Sequence, residues 1–316
     1  VDDDMPLEHG MVSKAIENAQ IKVEGYNFDI RKHVLEYDDV VNKQREVIYA
    51  ERRRILQESS LRGVVLGMVG EEVDELVESF TPTPHRDDWD LNNLWAALRG
   101  FVPLPFGQEQ VEAVWGSLTP DEIKAYVADI AAQAYDAMRA DFGHSVWEQL
   151  RSSTRSLGEL AAAEGGLFEL LRQSLRYYLD DDTWRTVVEH PVAVYERELR
   201  PEVEDALGRA MVLQRDRQVM IRAVDSLWIR HLTDLSGLRE GIGLRAYGQQ
   251  DPLVSYKKEA HDMYVDLLAG IRHEVATGVL RAALAVQERR PAREVQTNRS
   301  SEPVSKTVRR APVQVA

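Results

Sequence analysis

Cysteine is absent from all 316 residues, which excludes disulfides, thiolate zinc sites and cysteine nucleophiles and suits a reducing compartment such as the cytosol. Aromatics are scarce at 7%, and the 12 prolines and 19 glycines are few enough to favour long helices over many short strands. No uninterrupted apolar run approaches the roughly 20 residues that span a bilayer, so any membrane association is expected to be peripheral. Positive charge is also short: 39 Lys and Arg against 53 Asp and Glu leave a net charge of -14. A chain built to grip phosphate backbones usually carries a basic surplus, so nucleic acid is not expected as a partner. What is present is globular in composition, 44% hydrophobic and 29% charged, and the length suggests about two domains. The opening "VDDDMPLEHGMV" lacks the basic-then-apolar order of a signal peptide and does not begin with Met. It reads as cut from something larger.

Motifs for bond chemistry are missing as well. A phosphate cradle ends in Gly-Lys followed by Ser or Thr, and no Gly-Lys pair occurs. His273 and Glu274 begin a metalloprotease pattern, but position 277 is Thr, where the second ligand should stand. "DWDLNN" imitates a calcium loop at Asp88, Asp90 and Asn92, yet its sixth position is Asn93 and its twelfth Arg99. A capped loop is the better reading. No catalytic residue and no metal site is expected.

Helical periodicity is abundant. From Val12 to about Leu56 no proline intervenes, and Ile16, Val23, Ile30 and Tyr37 recur every seven residues. A second series, Val34, Val41, Ile48 and Ile55, is shifted by four, so the apolar stripe steps around one long helix. At about 1.5 Å per residue such a helix reaches roughly 65 Å, too long for an ordinary core. It reads as a beam that packs against several bodies in turn. Residues 57–205 carry prolines and turn residues between shorter amphipathic helices; Thr119-Pro120-Asp121-Glu122 is a helix start, and Gly165-Gly166 a break. This section reads as an inserted helical domain. The long pattern returns over 206–286, where Met220, Val224, Leu227, Trp228, His231, Leu235 and Leu238 face Tyr256, Ala260, Met263, Leu267, Ile271 and Val275 across an antiparallel hairpin. Residues 287–316 lose periodicity and are expected to form a disordered tail.

The turn of that hairpin, "GIGLRAYGQQDP", carries more than a reversal needs. Leu244, Arg245 and Tyr247 sit among Gly241, Gly243 and Gly248. An aromatic face and a cation on a yielding loop can grip varied partners; alternatively, Tyr247 only caps its own helices. On the beam, Glu36, Asp38 and Asp39 form an acidic cluster, either a solvated face or an interdomain contact for cations. His33 and His231 lie on long helices, where packing or surface roles are the ordinary ones. "ERRR" at 51–54 and a tail with seven Lys or Arg against three acids offer a weak electrostatic contact to anionic lipid or acidic partners.

Two stretches carry a family resemblance. "NAQIKVEGYNFDIRKHVLEYDDVVNKQREVIYAERR", residues 18–53, closely resembles the start of the helical scaffold domain of SecA, the ATP-driven motor of bacterial protein secretion. "LWIRHLTDLSGLREGIGLRAYGQQDPLVSYKKEA", residues 227–260, resembles the same family's two-helix finger. The resemblance implies an all-α fold: residues 1–11 end the preceding motor domain, 12–56 form the long scaffold helix, 57–205 the helical wing, and 206–286 the scaffold continuation with the finger. It further implies that Leu244, Arg245 and Tyr247 touch unfolded preprotein at the mouth of the SecY/SecE/SecG channel. Asp29 and Arg31 of "FDIRK", with Glu36, Asp38 and Asp39, would face the motor domains, which are the parts that use ATP and magnesium.

The implied location is cytoplasmic, peripheral to the inner face of the bacterial plasma membrane, and an unpartnered beam stripe also admits a homodimer. This sequence departs from the family pattern at the tip, where Ala246 replaces a common glycine and Gln250 a frequently basic residue. Ser236 and Gly237 depart in the first finger helix. A reading from another class remains: a freestanding helical adaptor without a motor.

Overall fold

The computed structural model describes residues 10–242 and 251–289, without the side chains of residues 29, 30, 33, 282 and 284–289. Among the described residues every regular element is helical and none is a strand. The long helix expected from Val12 to Leu56 runs unbroken as α1 (Gly10–Gln57), 48 residues or about 70 Å. Its two heptad series meet different fates. Ile48 and Ile55 of the second are 3% and 1% exposed, whereas Ile16 and Val23 of the first are 54% and 59% exposed. The step between the series marks where the other helices begin to cover α1.

The covering elements are α9 (Glu196–Gly241) and α10 (Pro252–Arg289), the antiparallel hairpin. Met220, Val224, Trp228 and Leu235 are buried on one stripe, and Tyr256, Ala260, Leu267, Ile271 and Val275 on the other, as the periodicity predicts. Asp251 starts α10 by accepting from the amides of Leu253 and Val254 at 2.8 and 3.3 Å, which satisfies two otherwise orphaned donors. The tip, residues 243–250, lies outside the described residues, as does the tail from 290.

Between the beam and the hairpin come α2 (Arg62–Phe80), α3 (Leu91–Arg99), α4 (Val111–Trp115), α5 (Pro120–Arg151), α6 (Leu157–Glu164), α7 (Gly166–Leu175) and α8 (Asp181–Glu189). Their boundaries follow local chemistry. Thr119 and Glu122 form a reciprocal capping box at the start of α5, and Ser156 and Glu159 another at α6. Asp90 of "DWDLNN" caps α3 by accepting from the Asn93 amide at 3.1 Å, and Asp88 accepts from the Thr83 hydroxyl at 2.6 Å; the loop is a capped loop. Gly165 and Gly166 separate α6 from α7 with φ of 61° and 50°, a region that side chains with a Cβ avoid.

These helices feed two cores. One gathers the end of α1, α2, α3, α4, the first half of α5, the second half of α9 and α10. The other gathers the end of α5, α6, α7, α8 and the first half of α9. α5 and α9 are long enough to serve both, and they run antiparallel in contact through the place where one core gives way to the other. There Gly143 and Gly208 carry no side chain for a reason: a Cβ at Gly143 would sit 2.1 Å from the Glu204 carbonyl oxygen, and one at Gly208 would sit 2.4 Å from that of Arg139. The α2–α10 seam has a different fastener. Glu72, nearly buried, faces His273 Nδ1 at 2.7 Å and pairs with Arg272, which also reaches Glu75. His273 is thus part of a helix contact.

Asp216 of α9 is fully buried. The Tyr135 hydroxyl donates to its Oδ2 at 2.6 Å, while Oδ1 has no partner. Burial is the main cause that pushes this carboxyl up to about 6, against the pull of the Tyr135 hydrogen bond and of Arg215. The folded chain therefore holds a proton between about pH 4 and 6 that the unfolded chain has lost. Stability from this group is full below about pH 4 and is lost as pH rises through about 6.

Two outcomes are expected. Gly208→Ala must push α5 and α9 apart and should cost about 2 kcal/mol in denaturant unfolding. Gly237→Ala, on the same helix with nothing near its would-be Cβ, should instead gain up to about 1 kcal/mol. Asp216→Asn should remove a loss of about 3 kcal/mol between pH 4 and pH 7, read as the difference between variant and parent, so that surface carboxylates such as Glu169, held at about 2 by Arg172, cancel.

Candidate beam–finger junction

α1 meets the hairpin from Tyr37 onward. Leu235, Ile242, Tyr256 and Ala260 form a small apolar cluster on which Tyr37, Val40, Val41, Leu238 and Met263 pack. The Tyr37 and Tyr256 rings stand edge to face, centroids 4.7 Å apart, a favoured aromatic geometry. Arg239 of α9 lies 5.8 Å from the Tyr37 centroid and donates to Asp38 Oδ1 at 3.0 Å. Both partners are nearly half exposed, so the ion pair contributes at most about 1 kcal/mol. It orients the beam more than it holds it.

The stronger hold is polar and buried. Gln44 Nε2 donates to the Ala260 carbonyl at 3.0 Å, and Gln44 Oε1 lies 2.9 Å from His231 Nε2. A carbonyl only accepts, so the amide is oriented with its oxygen toward the imidazole, and the imidazole must carry its proton on Nε2. Burial pushes His231 down, which keeps it the neutral donor this chain of bonds requires. One side chain of α1 thereby ties α9 and α10 together, with the Trp228 and Tyr264 rings flanking the imidazole at 5.5 and 6.2 Å.

The sequence-predicted beam residues converge beside this hold. Arg31, Glu36, Asp38 and Asp39 line one cleft of about 640 Å³ together with Phe28 and Lys257 of α10. Asp39 is also paired with Lys43 at 2.8 Å on the surface. Asp38 additionally lines a second cleft of about 440 Å³ with Arg45, Ser236 and Arg239, so it stands on the ridge between the two. The Asp29 side chain lies outside the described residues, as do Leu244, Arg245 and Tyr247 of the finger tip. The cleft offers charges of both signs beside an exposed aromatic ring, which is equipment for binding and orienting a partner surface.

Gln44 is not among the sequence-predicted residues, although the sequence carries a signal for it. It occupies an otherwise apolar register with Tyr37, Val41, Ile48 and Ile55, and a polar residue in such a stripe must find a partner. Periodicity assigns Tyr37 only to a stripe and gives His231 a packing or surface role. The packing reading of His231 holds, with a hydrogen bond added.

Replacing Gln44 by Leu should leave the His231 N–H and the Ala260 carbonyl unsatisfied and cost about 2 kcal/mol in denaturant unfolding. Adding His231→Phe should recover part of that loss, giving a coupling of about 1 kcal/mol in a double-mutant cycle.

Comparison with known proteins agrees with this arrangement. The SecA Wing and Scaffold domain family matches residues 6–283. Protein translocase subunit SecA 1 of Thermobifida fusca is 34% identical over 276 residues, covering 86% of this chain and 22% of that protein. Protein translocase subunit SecA of Pelotomaculum thermopropionicum is 33% identical over 305 residues, 96% of this chain and 27% of that protein. Protein translocase subunit SecA 1 of Mycobacterium tuberculosis is 35% identical over 272 residues, with 86% and 23% covered. The chain thus spans about a quarter of the length of these relatives. A match over nearly the whole chain, joined to a long helix clamped onto a helical hairpin, places the chain in the SecA Wing and Scaffold domain family.

Proposed function

We propose that this chain is the wing-and-scaffold part of a protein translocase subunit, conveying ATP-driven movement to the transport of unfolded preproteins through the SecY/SecE/SecG channel. The observation that carries the reading is the division of α1. Its second half is clamped to the hairpin, while Ile16, Val23 and Phe28 of its first half stay exposed. A row of large apolar side chains in water is unfavourable by about 25 cal/mol for each Å² left uncovered, so it suits a partner body. The remaining three quarters of a relative's length is the natural occupant, and ATP and magnesium would be bound there. This chain, without a Gly-Lys pair, supplies no phosphate cradle of the P-loop kind.

In this mechanism the chain does mechanical work and no bond chemistry. A helix hydrogen-bonded along its whole length transmits a push with little bending. Arg31, Glu36, Asp38 and Asp39, with Asp29 nearby in sequence, would receive the motor domains at the cleft beside Lys257. The clamp of Gln44, His231 and Ala260 would pass the movement to the finger. Leu244, Arg245 and Tyr247 would meet the preprotein without reading its sequence, since an aromatic face and a cation contact apolar groups, carbonyls and acids alike. The setting is the cytoplasmic face of the membrane, held peripherally: no described helix is long and apolar enough to cross a bilayer. Contact with anionic lipid and homodimer formation through the exposed row belong to the same proposal. Membership of the SecA Wing and Scaffold domain family does not favour the freestanding adaptor.

The test places this chain in an intact translocase subunit in exchange for its own corresponding segment. Tyr247→Ala should then slow translocation about tenfold or more while basal ATP hydrolysis stays within about twofold. Equal loss of both rates would overturn the assignment of the tip.

A further inference from the structure

A cationic cleft lies away from the beam–finger junction, where the two cores meet. It measures about 310 Å³ and is lined by Ser60, Arg62, Tyr135, Arg139, Tyr178 and Arg209 together with aliphatic side chains. Tyr178 packs against both cores, and its hydroxyl donates to the Ser59 carbonyl at 2.6 Å. Arg139 is one turn from Gly143 and Arg209 adjoins Gly208, the two glycines that let α5 and α9 touch. The cleft therefore joins α2, α5 and α9 at their common seam.

Its donors exceed its acceptors. Arg62 gives Nε and Nη2 to Asp136 at 3.1 and 2.8 Å, which leaves Nη1. Arg209 gives Nη2 to Asp205 at 2.7 Å, which leaves Nε and Nη1. Arg139 reaches the same carboxylate only at 3.5 Å, and its Nε is buried with no partner. Neither Asp136 nor Asp205 lines the cleft. The tyrosine hydroxyls face other duties, since that of Tyr135 is given to Asp216. At the same place α2 begins with no side-chain cap, so its first-turn amides add partial positive charge. Three guanidiniums held in place by two carboxylates leave a surplus of positive charge in a chain whose net charge is -14.

We infer that this cleft binds a phosphate group, as inorganic phosphate or as the monoester headgroup of a lipid, and that the bound anion bridges α2, α5 and α9. Planar guanidinium forks match phosphate oxygens in pairs. The volume is at the small end of ligand sites, enough for a phosphate with a short substituent. Because the anion would touch helices of both cores, its binding should stiffen the seam and raise the stability of the whole chain by mass action.

The experiment titrates inorganic phosphate into the 316-residue chain at constant ionic strength, with chloride as the balancing ion, by calorimetry and thermal unfolding. Saturable one-to-one binding and a Tm that climbs with phosphate but not with chloride are expected. Arg209→Gln should weaken binding about tenfold or more. Ser60→Asp, which sets a carboxylate at the cleft while leaving every ion pair intact, should abolish it with helicity unchanged by circular dichroism. Arg53→Gln, outside the cleft, should have no effect. A second arm uses phosphatidic acid vesicles against phosphatidylcholine vesicles. Co-flotation with the former that Ser60→Asp removes, without binding of free phosphate, assigns the lipid headgroup; binding of free phosphate assigns the soluble anion. No saturable binding in either arm, or binding that Ser60→Asp leaves unchanged, overturns the proposal.

Discussion

Gln44 uses both ends of one side-chain amide on two different helices, facing His231 of α9 with its oxygen and the Ala260 carbonyl of α10 with its nitrogen. Almost everything distinctive about the beam follows from that bridge. Apolar stripes slide by a turn at modest cost, because one Leu–Val contact resembles another. A buried amide with a single satisfying arrangement does not slide, since a misplaced register would leave three polar groups without partners. The Tyr37–Tyr256 edge contact and the Arg239–Asp38 pair lie one to two turns away and hold the same register. After this point Ile48 and Ile55 of α1 enter the core, whereas Ile16, Val23 and Phe28 near its start stay exposed.

The rest of the molecule is organised by a second close contact. Side chains ordinarily keep helix axes about 8–10 Å apart. At Gly143 and Gly208 there is no side chain to keep, and α5 and α9 touch backbone to backbone. Each helix can then pass from one core to the other without a break. Polar groups gather at this seam: Asp216 with the Tyr135 hydroxyl, Arg215 donating to the Gly278 carbonyl of α10, and the arginines around Tyr178. Among them, Asp216 is buried with one carboxylate oxygen lacking a partner.

In the proposed function these two contacts divide the labour, one joining α1 to the α9–α10 hairpin and the other joining the two cores. The first lies beside the cleft where the predicted beam acids collect. The second lies between two cores that share continuous helices, so movement of one would be felt in the other through α5 and α9 rather than through a linker. Rigid elements with few, specific fasteners are what a force-conveying scaffold needs, and fasteners are where such a scaffold can be tuned.

Much of this was legible before any coordinates. Periodicity located α1 and the facing stripes of α9 and α10, and capping chemistry located the start of α5, because helix geometry and orphaned amides are local matters that neighbouring residues decide. The family was legible from two long stretches, and four of the five beam residues it implied share one cleft; the Asp29 side chain and the finger tip lie outside the described residues. What the sequence left open is all non-local. Periodicity says that Ile16 and Ile48 each belong to an apolar stripe, but not which has a neighbour to bury it. It cannot reveal that Gly143 and Gly208, 65 residues apart, meet at one close contact while Gly237 meets nothing. Nor can it pair Gln44 with His231 across 187 residues. Those outcomes depend on how three-dimensional surfaces come together, and the tertiary structure alone decided them.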